Sequence, residues 1–282
     1  MNEIRVIPAE LIEKTVHDLC IAANLHLPKD VEEALHAAAE EETWKPARES
    51  LELLQQNCRI AAEKSLPICQ DTGAACVFLE IGINAHISGD VCAAVNEGIR
   101  KGYADGYLRK SIVSDPILRR NTDDNTPAFL SVEPVPGDRV KVTVAPKGFG
   151  SENMSALKML KPSDGAEGVM DFVLDTVKKA GPNPCPPVIL GIGIGGTFDK
   201  AAFLAKKALL RPLNVRNADA YYAELEEKLK ERINGLGIGP QGFGGKTSCL
   251  GVSIEKFPTH IAGLPVAVNV SCHATRRASV LL

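Results

Sequence analysis

The segment Val188–Gly196 limits the folds open to this chain more than any other part of its sequence. It reads VILGIGIGG, and no polar side chain interrupts it between Val188 and Ile194. A strand with one wet face alternates apolar and polar residues, whereas a strand without polar interruption is buried on both faces. A helical pattern follows directly, from Thr197 to Leu210. A buried strand that leads into a helix predicts a mixed α/β protein.

The glycines of this segment fit the G-x-G-x-x-G pattern of dinucleotide-binding sites. Gly191, Gly193 and Gly196 have the required spacing between a strand and a helix. The rest of that pattern is missing, because Arg211–Asn214 follows the helix and no second apolar strand ends in Asp or Glu. Two other interpretations are therefore favoured: close packing of the helix on the strand, or a helix N-terminus that faces an anion.

Periodic patterns predict further elements along the chain. Helices are expected over 11–23, 28–39, 51–61, 90–106, 169–177 and 219–234, and strands over 76–82, 249–254 and 266–270. Residues 129–135 and 139–145 are expected to form a hairpin across the turn Pro136–Asp138. We expect one domain over 1–282, with a helical N-terminal subdomain at 1–65 and a mixed α/β part at 66–282.

The composition excludes several classes of function. Lys and Arg together number 32 and Asp and Glu number 35, so the chain lacks the basic field that a nucleic acid or an anionic membrane needs. No apolar run approaches the ~20 residues of a membrane span. The first ten residues lack the apolar core of a secretory signal. We therefore expect a cytoplasmic protein whose cysteines stay reduced.

Three of the eight cysteines lie outside any periodic pattern. Cys69 is followed by polar residues, Cys185 is flanked by prolines, and Cys272 follows a predicted strand. Separations of 116 and 87 residues exclude a local zinc knuckle but allow the three to converge on an iron–sulfur cluster. The alternative is that they are unconnected core residues. Cys20 and Cys58 lie on apolar helical faces and are expected to be buried.

Long strings in this sequence resemble a known family. The strings are PICQDTG from Pro67, VNEGIRKGYADGYLRKS from Val95, NTPA from Asn125, APKGFGSENMSALKMLKP from Ala145, AGPNPCPPVILGIGIGGTFDKAA from Ala180, GLGIGPQGFGG from Gly235 and LPVAVNVSCHATRR from Leu264. They resemble the alpha subunit of two-subunit class I fumarases, iron–sulfur hydro-lyases that include L-tartrate dehydratase. The resemblance runs from residue 67 to the C-terminus, and GSENMS and GYLRKS are similar to the fumarase branch.

The resemblance implies a [4Fe–4S] cluster in the loops of the α/β part, with Cys69, Cys185 and Cys272 as its ligands. Three protein ligands for four irons leave one iron open, which would act as a Lewis acid on the substrate hydroxyl and one carboxylate. An electron carrier would fill that position with a fourth cysteine. The remaining cysteines are then expected in the core, including Cys76, Cys92 and Cys249.

The resemblance also implies the residues that meet a dicarboxylate substrate. Arg109 matches the substrate arginine of the family, and its planar fork suits a carboxylate. Gln70 and Asp71 match polar groups on the substrate side, and Asp71 is expected to be catalytic. His260 matches an active-site histidine, whose imidazole suits proton transfer near neutral pH.

A turn rich in glycine is expected to complete this part of the site. Lys147–Asn153 reads as a strand-to-helix turn whose backbone N–H groups can approach an anion. Gly150 matches a backbone contact of the family, and Asn153 is expected to bind substrate as well. Arg276 and Arg277 are expected to offset the negative charge of the cluster or to pair across an interface.

The activity that the resemblance implies is the reversible hydration of fumarate to (S)-malate. The alternatives are the alpha subunit of an L(+)-tartrate dehydratase or a mesaconate hydratase, and a cluster-bearing interaction subunit without catalysis. Single-chain members of the family carry a second domain with further substrate cations and a catalytic base. We therefore expect a separate beta subunit to complete the site, in an α2β2 assembly, with no nucleic-acid or membrane partner.

Overall fold

The computed structural model describes residues 4–282, and the chain divides into two compact units. The first unit comprises the residues up to Pro28, Cys58–Phe149 and Arg276–Leu282. The second unit comprises Lys29–Asn57 and Gly150–Thr275. Among the described residues, no helix is both long enough and apolar enough to cross a membrane.

Helices and strands mix along the whole chain, which confirms the predicted mixed α/β class. Their order is β1 (Arg5–Pro8), α1 (Ala9–Leu25), α2 (Lys29–Glu41), α3 (Lys45–Lys64), β2 (Ala74–Gly82), β3 (Ala85–Ser88), α4 (Val91–Asp105), β4 (Phe129–Val135), β5 (Val140–Lys147), α5 (Phe149–Glu152), β6 (Ala156–Leu160), α6 (Gly165–Ala180), β7 (Val188–Gly195), α7 (Phe198–Ala208), α8 (Ala220–Asn234), β8 (Cys249–Phe257), β9 (Leu264–Ser271) and β10 (Ala278–Leu281).

The first unit is built on a sheet of four strands in the order β10–β5–β2–β4. β2 lies inside this sheet and is buried over most of its length, because its sequence AACVFLEIG is almost wholly apolar. α1 and α4 contribute apolar residues to the core beside the sheet, among them Ile12, Val16, Ile99 and Tyr103. α4 begins as expected, because the Asp90 carboxylate accepts a hydrogen bond from the Ala93 N–H and so caps the helix.

The predicted hairpin of β4 and β5 is wrong. Both strands form, but β2 lies between them, paired parallel with β4 and antiparallel with β5. The connection between β4 and β5 crosses the end of β2, where the Gly82 N–H donates to the Arg139 carbonyl. A Cβ on Gly82 would lie 2.5 Å from the Gly137 carbonyl oxygen, so a glycine here is what lets the connection cross.

The second unit is built on a sheet in the order β6–β9–β7–β8. β7 is buried at every position, as the uninterrupted apolar sequence predicts. The glycines of β7 serve the packing of α7. A Cβ on Gly191 would lie 2.0 Å from the Ala205 carbonyl oxygen, and one on Gly193 would lie 2.0 Å from that of Ala201. The backbone of α7 therefore rests directly on the strand, which confirms the packing interpretation of these glycines.

We predict that Gly193→Ala destabilises the protein strongly. Its methyl group has no space beside the α7 backbone, and overpacking of this kind should lower the free energy of unfolding by about 3 kcal/mol or more. Urea denaturation followed by circular dichroism measures the change. Gly263→Ala is the control, because its Cβ would meet no atom closer than 3.9 Å. Equal stability of Gly193→Ala and Gly263→Ala would contradict the packing.

Candidate active site

The structure sorts the eight cysteines by exposure. Cys20, Cys58, Cys76 and Cys249 are buried, Cys69 and Cys272 are half-buried, and Cys92 and Cys185 are exposed; none forms a disulfide. The prediction that Cys92 belongs to the core is wrong, because this residue lies in the first turn of α4, ahead of Ala94, the first residue that the helix buries. The three predicted cluster ligands are all outside the buried group.

Burial also separates the cysteines chemically. It raises the pKa of the Cys20 and Cys249 thiols to about 12, so both stay protonated at neutral pH. A metal ligand must be a thiolate. Cys69, Cys185 and Cys272 therefore fit an iron–sulfur cluster by donor type and by exposure, whereas Cys20 and Cys249 do not.

In the first unit, the loop before β2 holds Cys69, Gln70 and Asp71. The Gln70 amide oxygen lies 3.5 Å from the Cys69 sulfur. The Asp71 carboxylate is fixed by two backbone donors: Oδ1 accepts from the Gly73 N–H at 3.0 Å and Oδ2 from the Phe149 N–H at 2.8 Å. Each oxygen keeps capacity for a second hydrogen bond, so Asp71 is a held acceptor that can still meet a ligand.

Arg276 hydrogen-bonds to the backbone of the same loop. Its guanidinium is 4% exposed, and Nη2 donates to the Asp71 carbonyl at 2.8 Å while Nη1 donates to Asn24 Oδ1 at 2.9 Å. Arg276 thus has hydrogen-bond partners inside the first unit, and the expectation that it offsets the charge of the cluster or pairs across an interface stays a prediction. Two charge-assisted hydrogen bonds replace water at Nη1 and Nη2, while Nε is buried without a hydrogen-bond partner among the described residues.

Arg109 also lies beside this loop. It follows the end of α4 and is exposed, and its carbonyl accepts from the Thr72 hydroxyl at 3.1 Å. The first unit therefore brings the Arg109 backbone to the loop of Gln70 and Asp71, and the substrate contacts of these three side chains stay a prediction. Sequence patterns gave no sign of the role of Thr72, because its partner is a backbone atom far along the chain.

In the second unit, the segments of Cys185 and Cys272 adjoin each other. Cys185 lies between α6 and β7 with a φ of +54°, and its carbonyl accepts from His273 Nδ1 at 2.9 Å. The His273 backbone N–H also donates to the Cys185 carbonyl, at 3.4 Å. Because His273 directly follows Cys272, this bond fixes the two predicted ligand segments against one another.

The turn of Gly150 and Asn153 lies near the same end of the second sheet. The Glu152 carboxylate accepts from Asn269 Nδ2 at 2.9 Å and pairs with Lys206, and the Ser155 hydroxyl accepts from the Val270 N–H. Asn269 and Val270 precede Cys272 at the end of β9. Gly150 is exposed and has no atom within 4 Å of the position of a Cβ, which leaves its backbone open to a ligand.

His260 lies at the other end of this sheet. The neighbouring Thr259 hydroxyl donates to the Gly196 carbonyl, at the close of β7, whereas Cys185 precedes the start of β7. β7 has eight residues, so about 24 Å of strand separates these two ends. Within the second unit, the structure therefore does not bring His260 to Cys185 or Cys272.

The three predicted ligands are divided between the units. Cys69 belongs to the first unit, and Cys185 and Cys272 belong to the second. Over residues 4–282, no three His, Cys, Asp or Glu side chains are gathered closely enough to hold a metal ion. The structure thus supports the donor type of the three thiols and the approach of two ligand segments, and the complete ligand set stays a prediction.

Comparison with known proteins gives concordant matches. The sequence profile of the fumarate hydratase (Fumerase) family matches residues 13–281. A protein of Methanocaldococcus jannaschii, provisionally named L(+)-tartrate dehydratase subunit alpha, is 44% identical over 95% of this chain and 96% of its own length. The L(+)-tartrate dehydratase subunit alpha of Escherichia coli O157:H7 is 34% identical over 91% of this chain and 86% of its own length.

We predict that alkylation separates the exposed cysteines from the buried ones. Iodoacetamide at pH 8 should label Cys92 and Cys185 within minutes and leave Cys20 and Cys249 unlabelled, because a pKa of about 12 leaves roughly one thiolate in 10,000 at that pH. The two buried thiols should begin to react only as the pH rises towards 12. Peptide mass spectrometry reads the labels. Labelling in urea is the control, and labelling of Cys20 in the folded protein as fast as Cys92 would contradict the burial.

Proposed function

Because the chain belongs to the fumarate hydratase (Fumerase) family, we propose that it is the alpha subunit of a [4Fe–4S] hydro-lyase that reversibly hydrates fumarate to (S)-malate. One observation carries this proposal furthest. In the first unit, the Thr72 hydroxyl binds the carbonyl of the exposed Arg109, and Thr72 adjoins Asp71, whose fixed carboxylate belongs to the loop of Cys69. A cation for a carboxylate and a held acceptor beside a predicted metal ligand are what dehydration of a hydroxy acid needs.

We propose that the thiolates of Cys69, Cys185 and Cys272 hold the cluster. Thiolates are the ligands that iron–sulfur clusters take, and the three side chains are accessible, unlike Cys20 and Cys249. When bound, the cluster supplies a Lewis-acidic iron that eases cleavage of the C–O bond without electron transfer. The second unit contributes to the ligand geometry through His273, which holds the Cys185 carbonyl.

The chain's own residues bind and orient the dicarboxylate. Arg109 offers two parallel N–H donors to one carboxylate, and the Gln70 amide lies next to Cys69. The open backbone at Gly150 and the exposed Asn153 provide further donors. The fixed Asp71 carboxylate orients the substrate hydroxyl by accepting its hydrogen. No step is assigned to His260, because β7 separates it from the two ligand segments of its unit.

A separate beta subunit completes the enzyme in this proposal. The relatives are named as alpha subunits, and Arg109 alone does not neutralise a dianion. We propose an α2β2 assembly in which the beta subunit supplies a second cationic clamp and the catalytic base. We place the enzyme in the cytoplasm, because the cluster needs reduced thiolates and an oxidising compartment converts thiols to disulfides.

The second candidate substrate is L(+)-tartrate. The names of the relatives favour it, since the two quoted above are both named L(+)-tartrate dehydratase subunit alpha. The strings GSENMS and GYLRKS, which resemble the fumarase branch, favour fumarate. Both substrates are four-carbon dicarboxylates that lose or gain water, so Arg109 and Asp71 would have the same tasks in either reaction.

We predict that Cys69→Ser, Cys185→Ser and Cys272→Ser each prevent assembly of a stable cluster, while Cys20→Ser and Cys58→Ser do not. Loss of one of three thiolates leaves too few ligands, whereas the last two residues are buried on helical faces. Iron and sulfide analysis after anaerobic reconstitution decides the matter. A Cys185→Ser protein with a full and stable cluster would overturn the ligand assignment.

We predict that the isolated chain with its cluster is inactive and that the anaerobically purified complex with its beta subunit hydrates fumarate. Arg109→Lys should lower kcat/KM of the complex about 10- to 150-fold, since an ammonium loses one of two charge-assisted bonds worth about 1.5–3 kcal/mol. Arg120→Lys is the control and should leave the rate unchanged, because Arg120 is an exposed arginine that, like Arg109, lies between α4 and β4.

Steady-state assays on fumarate, (S)-malate, L(+)-tartrate and mesaconate measure these effects. Turnover of tartrate alone would select the second candidate. Absence of turnover on all four by a cluster-loaded complex would refute the hydro-lyase and leave an interaction subunit. Robust turnover by the isolated chain would refute the proposal that a beta subunit completes the site. Wild-type kinetics in Arg109→Lys would remove Arg109 from the site.

A further inference from the structure

Arg109 lies on a stretch of backbone that regular secondary structure does not fix. Between the end of α4 and the start of β4, residues 106–128 form neither a helix nor a named strand, and one isolated bridge joins Val113 to Asn121. An arginine that must meet a carboxylate with both prongs needs a defined backbone position. Something other than a helix or a sheet must therefore hold the backbone around Arg109.

Two buried polar side chains bind the backbone of this stretch, one at the Arg109 carbonyl and one at the N–H groups of the residues that follow it. Thr72 is 2% exposed, and its hydroxyl donates to the Arg109 carbonyl at 3.1 Å. Asn125 is fully buried, and its Oδ1 accepts from the Ser111 N–H at 2.7 Å and from the Ile112 N–H at 3.2 Å. Together they bind three backbone groups within four residues of chain.

The same two residues connect this stretch to the loop of Asp71. Thr72 directly follows Asp71, and Asn125 Nδ2 donates to the Gly73 carbonyl at 3.3 Å. The Tyr103 hydroxyl donates to the Thr72 and Gly73 carbonyls at 3.1 and 2.8 Å, so the loop itself is anchored to α4. Burial raises the pKa of Tyr103, which keeps this hydroxyl protonated as the donor.

We propose that Thr72 and Asn125 are positioning residues that set Arg109 in register with Asp71, so that the guanidinium meets one carboxylate of a dicarboxylate substrate. This inference rests on the proposed function and deepens it. Neither residue touches the substrate. Both act through the Arg109 backbone, and the hydrogen bonds of each are satisfied only when the Arg109 stretch lies against the loop.

The conformation of Asn125 agrees with this role. Its φ is +63°, a left-handed conformation that Asn adopts more readily than most residues. Its side chain offers an acceptor and a donor on one planar group, which the two N–H groups and the one carbonyl around it require. An alanine would leave three backbone groups without these partners, and an aspartate would place an acceptor against the Gly73 carbonyl.

Hydrogen exchange tests the positioning directly and needs no catalytic turnover. In Asn125→Ala and in Thr72→Val, amide exchange of the peptide that contains Ser111 and Ile112 should accelerate about tenfold or more. Thr176→Val is the matched control, because Thr176 is 5% exposed and its hydroxyl also donates to a backbone carbonyl, that of Phe172 at 2.8 Å. Unchanged exchange at 111–112 in both variants would overturn the proposal.

Kinetics of the complex with its beta subunit then separate positioning from general stability. Thr72→Val preserves the shape of the side chain, so it should fold even where Asn125→Ala does not. It should raise KM for the dicarboxylate about 5- to 30-fold and change kcat less than threefold, because the lost interaction serves binding. Thr176→Val should leave both constants unchanged.

A double-mutant cycle identifies Arg109 as the residue through which Thr72 acts. In an Arg109→Lys background, Thr72→Val should lower kcat/KM less than twofold further, because the two-pronged contact is already gone. Full additivity of the two changes would overturn the proposal while leaving the hydro-lyase intact. If the wild-type complex hydrates no dicarboxylate, the proposed function fails, and the exchange data alone decide whether Thr72 and Asn125 fix the 109–112 backbone.

Discussion

The buried peptide groups of the loop before β2 belong to neither a helix nor a sheet, and they need hydrogen-bond partners all the same. Side chains from distant segments supply those partners: Tyr103 from α4, Asn125 from the long loop and Arg276 from the C-terminal segment. The Asp71 carboxylate binds two further backbone groups. The fold of the first unit and the geometry of its candidate site therefore depend on the same hydrogen-bond network. A substitution that breaks these hydrogen bonds affects both.

In the second unit, the direction of the strands brings the two predicted ligand segments together. β7 and β9 are antiparallel neighbours, so the start of β7 and the end of β9 share one edge of the sheet. Cys185 precedes the first of these strands and Cys272 follows the second. Their approach is thus a consequence of topology, and the His273 bond to the Cys185 carbonyl adds local precision. The same topology puts His260 at the opposite edge, since it precedes β9.

Local patterns predicted the elements that bury a continuous apolar face. The three N-terminal helices, the capped helix α4 and the buried strand β7 all formed as expected. The short strands β1, β3, β6 and β10 were not predicted, since each has only four or five residues and its pairing depends on distant partners. The hairpin prediction failed for a related reason, because proximity in sequence does not reveal that a third strand will lie between two others.

The candidate site shows the same limit. Cys69, Asp71 and Arg109 could be predicted as site residues, because their side-chain chemistry and the strings around them resemble those of a known family. Thr72 and Asn125 were not, because their partners are carbonyl and N–H groups that every residue has. The exposure of Cys92 depends on which turn of α4 it occupies relative to the first buried residue, and an average helical pattern does not resolve this.

The contact between α7 and β7 bears on which inherited changes this chain can carry. Every missense change in a glycine codon introduces at least a Cβ, so no single-nucleotide substitution that alters Gly191 or Gly193 leaves room for the carbonyl oxygens 2.0 Å from that position. The packing of α7 is therefore sufficient to require glycine at both positions, although the string they form resembles a dinucleotide-binding pattern. The residues on the surface around this contact can change, whereas the contact itself holds both positions to glycine.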